Sequence, residues 1–170
     1  MYYTGIGARS TPPYVLNVMT QLASKLESLG YILRSGGASG ADSAFENGVR
    51  SISNREIYLP SNNFNSKSGQ GYINSPQLPN WQQALQTVNL YHPAPDKLTS
   101  FAKSLMARNA MQVLGGTMNT PSKMVVAWTP GGEVTGGTGQ ALRIAQAHKI
   151  PIRNLGNLET LQNVQKFIQS

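Results

Sequence analysis

Three glycine-rich segments are the part of this 170-residue sequence best suited to chemistry, and each follows a predicted strand. They span Thr4–Ser10, Ser35–Asp42 and Gly131–Gly139. Glycine lets the backbone approach a phosphate closely and adopt positive φ. A helix that begins behind such a loop offers free N–H groups and the positive end of its dipole. Together the three segments predict a binding site for a phosphate-bearing nucleotide ligand.

Charged side chains beside these segments extend the predicted site. Arg9 and Arg34 flank the first two segments, and a guanidinium can hold a phosphate through two N–H groups. Arg108 lies in an otherwise apolar helical stretch, where a charge needs either a partner or a pocket. Asp42 either supplies a charge at a helix N-terminus or accepts hydrogen bonds from a ribose or base. The predicted ligand-binding residues are Gly7, Ala8, Arg9, Ser35, Gly36, Gly37, Ser39, Asp42, Arg108, Asn109, Thr129, Gly136, Gly137, Thr138 and Gly139.

Several familiar motifs are absent from the sequence. No Gly-Lys-Ser or Gly-Lys-Thr occurs, so there is no Walker A loop, and Gly5–Ser10 departs from the dinucleotide-binding Gly-x-Gly-x-x-Gly pattern at its last position. The Gly-x-Ser-x-Gly element of serine hydrolases is missing. His92 and His148 are far apart, and no carboxylates are paired at a metal-binding spacing. We therefore expect no metal site and no cofactor.

Apolar periodicity indicates which elements carry the loops. Strands are predicted at 2–7, 31–34, 55–59, 123–128 and 150–153, and helices at 13–29, 41–49, 80–88, 95–113, 138–148 and 156–168. Alternating strands and helices predict an α/β, Rossmann-like open parallel sheet of about five or more strands, with helices on both faces. A single domain is expected over residues 1–170. The polar segment 61–80 is predicted to be a long loop, either a lid or a mobile insertion.

The composition narrows the partners. Fourteen Lys and Arg residues and seven Asp and Glu residues give a net charge of +7. This charge either favours anionic partners, such as nucleotides, nucleic acid or phosphorylated metabolites, or only keeps the protein soluble. Nucleic acid is disfavoured because the sequence shows no basic run and no platform of aromatic and basic residues. The sequence has no cysteine, no signal peptide and no membrane-spanning apolar run, so we expect a cytoplasmic protein without membrane contact.

The motifs together resemble the SLOG superfamily, which includes the DprA/Smf-type DNA-processing proteins and the LOG phosphoribohydrolases. The resemblance rests on Tyr3–Arg9, Arg34–Asp42, Ala107–Asn109 and Gly136–Gly139. It is strongest to short, stand-alone DprA-like proteins of bacteria and phages. It implies a nucleotide-binding Rossmann-like domain that assembles as a homo-oligomer, either a dimer or a larger assembly.

The resemblance to LOG enzymes is incomplete at the catalytic motif. Those enzymes carry Pro-Gly-Gly-x-Gly-Thr-x-x-Glu and an arginine on the preceding helix, a position that Arg108 matches. In the segment that starts at Pro130, Val134 stands at the motif's third glycine and Thr138 at its glutamate. Alignment on Gly136 places Arg143 at the glutamate instead. If the chain is an enzyme, the resemblance and the sequence leave Arg108, Glu46 and Glu133 as its candidate catalytic residues.

Three functions therefore stay open. The leading hypothesis is binding, and sequestration, of a phosphate-bearing nucleotide-derived ligand, such as a cyclic nucleotide or an ADP-ribose-type immune signal, by a phage anti-defence protein. One alternative is a LOG-like nucleoside-monophosphate phosphoribohydrolase. The other is DprA-like binding of single-stranded DNA.

Overall fold

Six strands form one sheet in this computed structural model, which describes residues 1–170. They are β1 (Tyr2–Gly5), β2 (Ile32–Ser35), β3 (Arg55–Leu59), β4 (Tyr72–Asn74), β5 (Val125–Ala127) and β6 (Ile152–Asn154). Their order across the sheet is β4-β3-β2-β1-β5-β6, and every neighbouring pair is parallel. The predicted open parallel sheet of the Rossmann-like class is confirmed.

Helices cover both faces of the sheet. They are α1 (Pro13–Ser28), α2 (Ala41–Asn47), α3 (Trp81–Tyr91), α4 (Ser100–Leu114), α5 (Gly136–Ala147) and α6 (Leu158–Gln169). One apolar cluster lies under α1, α2 and α6, and a second lies under α3, α4 and α5. β3 shows why there are two clusters: Ile57 and Leu59 enter the first and Tyr58 enters the second, because successive strand side chains point to opposite faces. No helix is both long enough and apolar enough to cross a membrane.

The strand order reverses beside β1. The chain places β2, β3 and β4 on one side of β1, and then returns to place β5 and β6 on its other side. In open parallel sheets, a crevice forms at the carboxyl ends of the strands where the order reverses, and ligands bind there. Here that crevice lies above β1 and β5.

The segment 61–80 is more structured than the sequence predicts. It contains β4 and two short 3-10 turns, Phe64–Ser66 and Ser75–Gln77. The prediction of one long loop is wrong, because β4 lies within it. β4 has only three residues and is held by pairing with β3, in which Ile57 aligns with Tyr72. An edge strand this short carries no alternating pattern of its own that could reveal it.

Candidate functional site

A cavity of about 490 Å³ opens at the carboxyl ends of β1 and β5, where the strand order reverses. The loop that follows β1, the loop that follows β2 and the loop that follows β5 all reach its wall. One face of α4 forms its back, and Phe64 from the segment after β3 closes one side. The structure therefore brings the three glycine-rich segments to a single space.

The predicted ligand-binding residues divide into two groups. Those that line the cavity are Gly7, Ala8, Arg9, Asp42, Arg108, Asn109, Gly136, Gly137 and Thr138. Those that lie outside its wall are Ser35, Gly36, Gly37, Ser39, Thr129 and Gly139.

Some of the residues outside the wall hold the loops in place. The Ser35 hydroxyl donates to the Gly5 carbonyl at 2.6 Å and thereby joins the ends of β2 and β1. The Thr129 hydroxyl donates to the Glu133 carbonyl at 2.5 Å and accepts from the Asn154 amide at 2.7 Å. Both hydroxyls are therefore occupied by the protein itself and shape the edge on which the cavity is built.

Arg34 does not reach the cavity. Its guanidinium forms an ion pair with Glu56 at 3.2 Å, donates to the Thr120 carbonyl at 2.5 Å and lies 3.9 Å from the ring centroid of Tyr2. With its side chain only 2% exposed, Arg34 connects strands and loops within the fold. The phosphate-binding role suggested by its place in the sequence is not available to it.

The mouth of the cavity presents unpaired donors. α5 begins without a side-chain cap, and the first hydrogen bond of its backbone runs from Gly139 N–H to the Thr135 carbonyl. The N–H groups of Gly136, Gly137 and Thr138 therefore remain free at the wall, as the first N–H groups of a helix do when nothing caps them. Arg9, on the loop after β1, is exposed beside them. Free N–H groups, a helix N-terminus and a guanidinium together favour an anion.

Arg108 binds the back of the cavity to the sheet. This residue is 5% exposed. Its Nη1 donates to the carbonyl of Gly36 and, at 3.0 Å, to that of Tyr58, while its Nε donates to Asn109 Oδ1 at 3.1 Å. Burial lowers the pKa of Arg108 to about 10, an effect that the charge of Asp42 partly offsets. Arg108 is therefore a fully charged buried residue at neutral pH.

Asp42 places a carboxylate in the same wall. Its Oδ2 accepts the N–H of Ala38 at 3.2 Å, so it satisfies a donor at the start of α2 while lining the cavity. Burial raises the pKa of Asp42 to about 6, against the opposing effect of Arg108. No Arg108 nitrogen comes within 4.0 Å of this carboxylate, since only two ion pairs, Arg34–Glu56 and Lys67–Glu46, form at that distance. The floor thus carries one positive and one negative charge at neutral pH.

An aromatic pair adjoins the cavity, and the sequence does not reveal it. The Phe64 ring lines the wall with its centroid 5.6 Å from the Arg108 guanidinium carbon. Phe101 packs against Phe64 edge to face, with centroids 6.3 Å apart, and is 45% exposed. Tertiary packing brings Phe64 and Phe101 together from two segments far apart in the sequence, so no local pattern indicates the pair.

The two candidate catalytic glutamates lie elsewhere. Glu46 is held by Lys67 Nζ at 2.8 Å and by the Tyr72 hydroxyl, outside the cavity. Glu133 is exposed and does not line the cavity either. Asp42 is the carboxylate that the structure places in the wall. No group of three or more His, Asp and Glu side chains is arranged to hold a metal ion.

The fold and the site together define a Rossmann-like α/β protein with a glycine-lined cavity at its strand-order reversal. Among solved structures, DNA processing protein A from Helicobacter pylori has a similar fold. Its TM-score is 0.60 over 99% of this chain and 79% of that one, at 20% sequence identity. That protein is described as having a unique single-stranded DNA binding mode. No protein-family model and no curated protein matches the chain.

Proposed function

We propose that this chain binds single-stranded nucleic acid and holds one nucleotide of the strand in the cavity. The observation that carries the proposal is the meeting of three features at one opening. Free N–H groups at the start of α5 and the guanidinium of Arg9 suit a phosphate, and the ring of Phe64 suits a base. Proteins that bind single strands combine these two elements, positive charge for the backbone and aromatic rings for the bases.

The exposed charges support a polyanionic partner. Seven basic side chains are exposed: Arg9, Arg50, Lys97, Lys123, Lys149, Arg153 and Lys166. Three acidic ones are exposed: Asp96, Glu133 and Glu159. The other four carboxylates accept hydrogen bonds within the chain: Glu27, Asp42, Glu46 and Glu56. Most of the net charge of +7 therefore lies on exposed side chains, where it can attract a phosphate backbone.

The likeness in fold supports the same proposal. The Helicobacter pylori protein, which shares the architecture over almost all of this chain, is described as binding single-stranded DNA. Because the cavity of about 490 Å³ has room for one nucleotide, the rest of a bound strand would cross the outer surface.

Fluorescence anisotropy with a labelled oligothymidylate tests the proposal. We expect the affinity to fall about twentyfold between ~50 and ~200 mM salt, as for a protein that contacts about three phosphates of a single strand. Arg9→Gln should weaken binding about three- to tenfold and flatten the salt dependence. The matched control is Arg153→Gln, which removes the same charge from an exposed side chain outside the cavity. Absence of binding at ~50 mM salt to both oligothymidylate and a mixed-sequence single strand, or equal effects of the two variants, would contradict the proposal.

A nucleotide-derived small molecule is the second candidate ligand. The volume of the cavity favours it, because about 490 Å³ lies within the range of pockets that enclose a single small ligand. If mononucleotides or cyclic nucleotides bind tightly while oligothymidylate does not, the function is to hold or sequester such a ligand. The phosphoribohydrolase alternative lacks comparable support, since Glu46 and Glu133 both lie outside the wall.

A further inference from the structure

The floor of the cavity contains a polar side chain with no partner. Gln112 follows Arg108 by one helical turn on α4, lines the cavity and is 2% exposed. Its backbone carbonyl accepts from Thr4 and Ser122, but its side-chain amide takes part in no hydrogen bond. Because this amide makes no hydrogen bond within the chain and lies at the cavity wall, it is available to bind a group in the cavity.

Two neighbours of Gln112 are also incompletely used. Nη2 of Arg108 donates to nothing, because its three hydrogen bonds come from Nη1 and Nε. Oδ1 of Asp42 accepts nothing, because its one hydrogen bond involves Oδ2. The floor thus offers N–H donors from an amide and a guanidinium beside an open acceptor on a carboxylate.

The three groups surround one small space above Gly36. A Cβ atom added to Gly36 would lie 2.6 Å from Arg108 Nη1 and 2.8 Å from Asp42 Oδ2, and it would overlap Gln112 Nε2. The three side chains are therefore neighbours at the floor, within reach of adjacent atoms of one planar group.

This arrangement does not suit a phosphate, whose oxygens only accept hydrogen bonds and would face the carboxylate of Asp42. We propose that the floor recognises the Watson–Crick edge of guanine. The adjacent N1–H and N2–H groups of guanine match the carboxylate of Asp42, and its O6 accepts from the amide of Gln112 or Nη2 of Arg108.

The other bases complement the floor less completely. Adenine and cytosine have an acceptor ring nitrogen where guanine has N1–H. Thymine and uracil have one N–H, but a carbonyl oxygen on each side of it. The inference rests on the proposed function, in which one nucleotide occupies the cavity, with its phosphate at Arg9 and the start of α5.

The first test needs no variant. Isothermal titration of the wild-type chain with 5′-monophosphates of guanosine, inosine, adenosine, cytidine and uridine should show GMP binding about tenfold more tightly than AMP and CMP, because hydrogen bonds to charged groups discriminate strongly. Inosine monophosphate, which lacks only the 2-amino group, should fall between them. Equal affinity for GMP and AMP would overturn the inference.

Two glutamine variants identify the group responsible. Gln112→Leu should abolish the preference for GMP over AMP without lowering the melting temperature, because it removes an amide that has no partner in the free protein. Gln140→Leu is the control for binding: Gln140 is a fully buried glutamine that lies outside the cavity, with its Nε2 unpaired and its Oε1 accepting from Arg143 Nη2 at 2.8 Å. Loss of the preference in both variants, or in neither, would overturn the assignment of Gln112.

The oligothymidylate measurement separates this inference from the proposed function. Binding of oligothymidylate without any preference for GMP leaves the proposed function standing and overturns guanine recognition. A preference for GMP without binding of oligothymidylate or of a mixed-sequence strand that contains guanine supports guanine recognition and replaces strand binding with binding of a small molecule. Binding of the guanine-containing strand alone supports both the proposed function and guanine recognition. Failure of all ligands to bind overturns both.

Discussion

Replacement of Gly36 by alanine is the most direct perturbation of the floor. Gly36 does not have a positive φ, so its backbone accepts alanine without strain. The added methyl group would nevertheless meet Arg108 Nη1 at 2.6 Å and Asp42 Oδ2 at 2.8 Å, and it would overlap the Gln112 amide. Because real Cβ atoms do not approach other atoms this closely, at least one of these side chains must move.

The cost can be estimated from this crowding. Insertion of a methyl group into a well-packed site lowers the free energy of unfolding by about 1 to 3 kcal/mol. For a domain of this size, that corresponds to a fall of about 2 to 12 °C in melting temperature. Movement of Gln112 and Arg108 also displaces groups that face the ligand, so GMP affinity should fall about tenfold or more.

Gly116→Ala is the control, since Gly116 also lacks a positive φ and the nearest atom to an added Cβ, at 3.3 Å, is the Leu78 Cδ1 at the end of a flexible side chain, which needs to move by only a few tenths of an ångström. Thermal melting followed by circular dichroism and titration with GMP measure both effects. If Gly36→Ala melts and binds like Gly116→Ala, the three side chains do not converge above Gly36 and the reasoning about the floor is refuted.

Four further predictions follow from the same geometry. Relative to Asp42→Asn, the wild type should lose about 3 kcal/mol of unfolding free energy as the pH rises from ~4 to ~7. The reason is that the pKa of Asp42 is about 6 in the folded state and 3.8 when exposed, so the folded state gives up its extra proton over that range. Urea titrations at each pH measure this difference, which would be absent if Asp42 is solvated. Arg108→Gln should lower the unfolding free energy by about 2 to 4 kcal/mol in urea titrations, since it removes the charged donor to the Gly36 and Tyr58 carbonyls; a loss below ~1 kcal/mol would contradict this. Phe64→Ala should weaken oligothymidylate binding about tenfold in anisotropy while Phe64→Tyr retains it, and equal affinities would exclude stacking on this ring. Assembly into homo-oligomers, implied by the resemblance to SLOG proteins, stays a prediction; light scattering that gives the monomer mass of 18.3 kDa would contradict it.

The architecture can be predicted from the sequence because most helices and strands have a recognisable local pattern of apolar residues. The predicted strand at 55–59 matches β3, and the helix predicted at 13–29 ends one residue later than α1. In each case a periodic apolar pattern is bounded by glycine or proline. β4 has no such pattern, since it is three residues of a polar segment held by hydrogen bonds to β3. Pairing between distant segments cannot be recognised from local periodicity.

The site is predictable only where it lies on the loops after strands. Arg9 and Asp42 are found because parallel strands bring their carboxyl ends to one edge, and loops at that edge must be neighbours. Gln112 is missed because packing of α4, not loop position, brings it to the cavity, and Phe64 is missed because its loop after β3 carries no glycine-rich motif. One signal could have indicated Gln112: it follows Arg108 by four residues on α4, and such residues share a helix face.

The uncapped start of α5 links binding to the order of the protein itself. Gly136 and Gly137 are poor helix formers, Gly136 has a φ of +67°, and no side chain caps the first turn. A phosphate at that position would supply the missing cap and order a turn that otherwise opens readily. The free energy needed to order this turn would offset part of the free energy of phosphate binding. Affinity would be lowered and release made faster, which would suit the proposed function if a bound strand must also be released. Hydrogen exchange of the Gly137 and Thr138 amides, with and without oligothymidylate, measures how much binding orders this turn.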